Sequence, residues 1–129
     1  MASELRVNTL KDAAGNNSIA TSFVAGGSAK AFLVCSLSAS NAVLKSLNNS
    51  SITDQGTGVV DQNFATSFSD ANYLVLVQAD GTLGDHTLGT SSATTISTTG
   101  AVRAYNVRRD NGSAVDEPKA GPIVWGDLA

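Results

Sequence analysis

Tyr73-Leu74-Val75-Leu76-Val77-Gln78-Ala79 decides the fold. It is a continuous run of β-branched, aromatic and aliphatic residues, too short for a buried helix, and Asp80-Gly81 ends it with a turn signal. Working outward, Ala101 to Arg109 sets Val102, Ala104 and Asn106 against Arg103, Tyr105 and Val107, then stops at Asp110-Asn111-Gly112. Ala31 to Leu37 places Phe32 and Val34 opposite Leu33 and Cys35, and Val43 to Leu47 stops at Asn48-Asn49-Ser50-Ser51. Ile52 opens a piece closed by Asp54-Gln55-Gly56-Thr57-Gly58, and Val59 to Phe68 follows. Thr94-Thr95-Ile96 is a strand core within the Gly/Ser/Thr-rich 81–100, and Ile123 to Trp125 is the last strand.

No segment holds a 3.6-residue apolar period for three turns, and Ser38 to Leu47, the one helical candidate, reads better as strand. Seven to nine short strands between Gly, Asn and Asp turns predict an all-β, antiparallel β-sandwich with an extended N-terminal arm. Residues 1–28 form the arm or hairpin and 29–129 the sandwich domain. In the arm, Glu4 to Leu10 alternates, Lys11 to Asn17 is turn-forming, and Ser18 to Val24 is a second extended piece ended by Gly26-Gly27. Its apolar residues Leu5, Val7, Leu10, Ile19 and Phe23 either pack a hairpin on the main domain or dock on a neighbour.

The 129 residues make one domain. With 8 basic and 11 acidic residues, net charge -3 and pI near 4.8, the chain lacks the Lys/Arg footprint that nucleic acid or an anionic membrane requires. Polarity comes instead from 38 Ser, Thr and Asn residues. Among the apolar residues 18 are Ala, so each buried residue contributes little apolar area and stability is expected to lean on partner subunits. Cys35 is alone, which rules out an intrachain disulfide. No basic-then-apolar leader and no apolar run of about 18 residues occurs, so neither signal-peptide secretion nor membrane insertion is expected.

Chemistry is sparse. His86, the single histidine, reads as a solvated loop residue, with no Cys or His at metal-ligand spacing and no G-x-S-x-G elbow around any serine. Asp54, Asp61, Asp70, Asp80, Asp85 and Asp110 mostly sit beside Gly or Asn, where capping a turn explains them better than glycoside chemistry. Gly26-Gly27 and Gly56-Thr57-Gly58 lack phosphate-loop spacing. No catalytic residue, cofactor or metal is therefore expected. Arg103, Arg108 and Arg109 form the basic cluster, with Arg103 and Arg109 on one face of a strand and Arg108 on the other. They either pair with carboxylates at a subunit contact or are solvated on an outer sheet face. Trp125, with Tyr105, either contacts a glycan or, for Trp125, anchors the last strand in the core. Cys35 reads as a small buried hydrophobe.

Three stretches carry a resemblance. Glu4-Leu5-Arg6-Val7-Asn8-Thr9-Leu10-Lys11-Asp12-Ala13-Ala14-Gly15-Asn16-Asn17-Ser18-Ile19, then Gly27-Ser28-Ala29-Lys30-Ala31, then Ser50-Ser51-Ile52-Thr53-Asp54-Gln55-Gly56-Thr57-Gly58 run in order over nearly the first half. They resemble a family of small tailed-bacteriophage virion structural proteins and tail-fibre modules with a V-x-T-L-K-D-x-x-G-N-N-S leader. The chain departs from that pattern at Phe32, where relatives carry Trp, and at Val59 and Val60, where an aromatic is common. The resemblance implies a virion protein made in the host cytoplasm, without enzymatic activity or cofactor. It implies association with itself, commonly as a homotrimer, and with a major capsid or tail protein. Two roles are expected: an exterior head decoration or cement protein held by its arm and sheet edges, or a tail or head fibre module binding host glycans.

Overall fold

The computed structural model describes residues 6–38, 41–79, 86–89, 97–108 and 111–129. In chain order the elements are β1 (Thr9–Lys11), β2 (Ser18–Ala20), α1 (Thr21–Gly27), β3 (Ala31–Ser36), β4 (Ala42–Leu47), β5 (Ser51–Gly56), β6 (Val59–Asn63), β7 (Leu74–Ala79), β8 (His86–Gly89), β9 (Ser97–Thr98), β10 (Ala101–Arg108) and β11 (Ala120–Trp125). The pairings are antiparallel. The fold is all-β, as the alternation predicts. One sheet has the order β4-β3-β11-β7, and the second has β5-β6-β10-β8 with β9 also on β10. A separate ribbon joins β1 to β2.

The two larger sheets pack face to face, because period-2 alternation gives each an apolar inner row. Leu33, Cys35 and Ala120 from one meet Val60 and Ala104 from the other, and Ala31 and Val124 meet Val102, Phe64 and Phe68. Phe64, Phe68 and Tyr73 close one end of the core with ring centroids 4.8 to 6.0 Å apart. The Tyr73 hydroxyl reaches the carbonyls of Thr98 and Ala101 at 3.0 and 2.9 Å, so β7 is tied to the opposite sheet. Gln62 also crosses the interior: its Nε2 donates to the carbonyls of Phe32 and Leu47 at 3.2 and 3.3 Å.

Several sequence expectations need correcting. The second extended piece of the arm is strand only to Ala20; Thr21 to Gly27 is a short helix. The Thr21 amide donates to the Asn8 carbonyl, and its hydroxyl lies 3.1 and 3.2 Å from the carbonyls of Val7 and Asn8. These bonds end the ribbon and turn the chain into α1. The strand opened by Val59 stops at Asn63, not Phe68. There Asn48 clamps Thr66, its Oδ1 accepting from the amide and its Nδ2 donating to the carbonyl, while Phe64 turns into the core. His86 opens strand β8 instead of lying in a loop. Pro122 lies inside β11, which begins at Ala120. Thr94-Thr95-Ile96 lies outside the described residues.

Candidate functional site

The motifs that carry the resemblance build local structure. In the leader, Asp12 to Asn17 is the β1–β2 turn: the Asp12 carboxylate accepts from the Asn16 amide at 2.9 Å and from Asn17 Nδ2 at 2.8 Å. The side-chain bond from Asn17 is the main cause holding the Asp12 carboxyl below its ordinary pKa. In Ser50–Gly58, Asp54 Oδ1 accepts from the Gly56 amide at 2.8 Å. Gly58 has φ +72 and lies so close to the Asn106 carbonyl that a Cβ there would stand 2.5 Å from it. Asp70 caps a turn likewise, accepting from the Asn72 amide at 2.7 Å. For Asp54 and Asp70 the expected turn-capping role is what the structure contains.

The N-terminal arm is ordered by its own contacts. Leu10 and Ile19 are directly opposite in the β1–β2 register and therefore share a face. After α1, the Lys30 ammonium donates to the carbonyls of Ala25 and Ser28, tying the helix end to the tether that enters β3. From Arg6 to Ser28 every residue is exposed except Ala20 and Thr21, which are half-buried. Val7, Leu10, Ile19, Phe23 and Val24 all stand open, Phe23 at 73%. Of the expected arm residues, Leu5 lies outside the described residues.

The two outer faces of the sandwich differ in kind. On the β5-β6-β10 side, Arg103 Nε and Nη2 donate to Asp61 Oδ1 and Oδ2 at 2.6 and 2.8 Å, and Gln55 Nε2 donates to Asp61 at 2.8 Å. Asn63 Nδ2 extends the polar row to the hydroxyls of Ser51 and Thr53, both at 3.0 Å. Arg103 thus pairs with a carboxylate of its own chain. The Asp61 contact raises the guanidinium pKa further, so its charge is fixed. Alternation alone did not reveal this pair, because Asp61 meets Arg103 only through the strand register. Arg108 is half-buried at the end of β10, and Arg109 lies outside the described residues.

On the β4-β3-β11-β7 side an apolar row crosses the outer face, with exposed Lys45 and Gln78 on the same face toward the other end of the strands. Register aligns Leu47 with Phe32, Phe32 with Ile123, and Ile123 with Leu76, a row across all four strands. Trp125 and Leu74 pair beside it. Leu47, Leu74 and Leu76 are 47%, 64% and 58% exposed, whereas Phe32, Ile123 and Trp125 are half-buried. Trp125 is therefore not in the core, where Val124 takes the inward position. Tyr105, between inward Ala104 and Asn106, lies on the opposite outer face. One groove cannot hold both aromatics.

Cys35 is fully buried as expected, and burial pushes its thiol up to about 11. Among the described residues no group of three or more His, Cys, Asp and Glu side chains could hold a metal ion. Among them too, no helix is long and apolar enough to cross a membrane. Comparisons with known protein families, curated proteins and solved structures find no match to this chain.

Proposed function

We propose that this chain is a non-catalytic structural protein of a tailed-phage virion, a small β-sandwich on the exterior of the head that holds neighbouring subunits through its N-terminal arm and sheet edges. The observation that carries this reading is the arm. A ribbon and helix fixed by their own hydrogen bonds present Leu10, Ile19, Phe23 and Val24 to solvent, and their own sandwich does not cover them. Ordered apolar side chains left open in this way mark a contact surface for another chain. The leader motif supports the virion setting, and repetition on a symmetric shell makes many modest contacts collectively strong. The partners in this reading are further copies, as a homotrimer, and the major capsid protein.

The fibre-module alternative receives less support, because Tyr105 and Trp125 occupy opposite faces and share no groove. The test is to purify particles from the cells that make this chain and identify its density in a map. Density on the outer surface of the head supports the decoration reading. Density at a fibre tip favours the alternative, and absence from particles rejects both.

A further inference from the structure

We propose that the arm of one copy lies on the apolar row across the outer face of the four-stranded sheet of a second copy, each chain giving one arm and accepting one. The inference rests on the assembly reading and deepens it by naming the acceptor surface and its occupant.

Two unpartnered apolar surfaces stand on the same chain, and neither covers the other. The donor is the arm, with Leu10, Ile19, Phe23 and Val24 between 43% and 73% exposed. The acceptor is the row Leu47, Phe32, Ile123 and Leu76 with Leu74 and Trp125 beside it. Each surface offers on the order of 500 Å² of apolar side chain, the size of the largest open patch on a monomer, which is often a functional one. A single arm-on-face contact is below the roughly 800 Å² per partner of a stable interface, but in a closed ring each chain makes two such contacts, and no copy can leave without breaking both. Area therefore favours a closed exchange between copies over a one-sided contact.

Polarity selects the face. The opposite outer face carries the Asn63, Ser51 and Thr53 row, whose desolvation an apolar arm cannot offset. Shape favours binding too. The Asp12 turn, the Thr21 bonds to the Val7 and Asn8 carbonyls and the Lys30 contacts already order the arm, so docking loses little conformational entropy. The tether Ser28–Lys30 spans at most about 10 Å, and swinging the arm onto its own sheet would break those Lys30 contacts.

Sedimentation of the full chain tests the exchange. The unmodified chain should assemble, and Phe23→Asp and Leu76→Asp should each weaken assembly by roughly tenfold or more. A monomeric unmodified chain overturns the proposal, as does undiminished assembly of either folded variant. A second measurement does not depend on those variants folding. Phe23→Cys chains mixed with Leu76→Cys chains under a mild oxidant should form an interchain disulfide, while Phe23→Cys mixed with Thr53→Cys, on the polar face, should not. Equal cross-linking to both faces, or none to either, overturns the proposal. So does an intrachain bond in place of an interchain one when both cysteines are on one chain. Self-association through this contact in a chain absent from particles would defeat the virion reading and leave the exchange standing. Particles holding the chain with its arm on a different protein would overturn the exchange alone.

Discussion

Arg103 stands directly across from Asp61 in the β10–β6 register, and its guanidinium grips both carboxylate oxygens at 2.6 and 2.8 Å. The two side chains are only 11% and 7% exposed. A one-residue slip of β10 would turn Arg103 toward Val60 and the core, so the pair penalises every register but one.

Arg103→Met should destabilise the fold by about 3–5 kcal/mol, because it leaves the Asp61 carboxylate buried without its partner. Adding Asp61→Leu in the same chain should recover most of that loss, since the stranded charge goes too. Urea unfolding of both variants measures the difference; equal losses would show that packing, not charge, is lost.

Gly121 lies inside β11 with φ +153, and a Cβ there would stand 2.0 Å from the Leu33 carbonyl oxygen. Gly121→Ala should therefore push β11 off β3, at a cost above about 3 kcal/mol. Hydrogen exchange should show the loss as faster exchange at the Lys30 amide, which donates to Val124 at 2.8 Å.

The Cys35 thiol should resist alkylation in the folded chain and react fully in denaturant. Its pKa is raised by burial from 9.0 to about 11. Between those values the unfolded chain gives up the proton and the folded chain keeps it, so stability should fall as pH rises through that window. Thiol labelling and denaturation series at matched pH check both statements.

Asp12 has a folded pKa below its ordinary 3.8, first through the Asn17 side chain. Its contribution is complete above that value and lost as pH falls through the lowered one. Acid should loosen the β1–β2 turn before the sandwich. Amide exchange at Asn16 and Gly15, compared with core strands, would show the order.

The strands were legible where alternation is strong. In β10 the sequence sets Val102, Ala104 and Asn106 apart from Arg103, Tyr105 and Val107, and the first set is buried. In β7 the run Leu74 to Val77 reads as apolar on both sides, yet only Val75 and Val77 turn inward. A single strand cannot announce that its second apolar face is left open. The helix α1 was hidden because Phe23 and Val24 favour strands and Gly26-Gly27 disfavours helices. It exists through bonds from Thr21 to residues thirteen and fourteen positions away. The Asp61–Arg103 pair and the Gln62 bridge between sheets likewise depend on which strand lies beside or across from which.

The contrast between the two outer faces gives the molecule an up and a down. The row Leu47, Phe32, Ile123 and Leu76 sheds water favourably on contact, whereas the opposite Asn63, Ser51 and Thr53 row holds it. A copy joined to a neighbour through the first face therefore turns the second to solvent, and growth by stacking face on face stops after one contact.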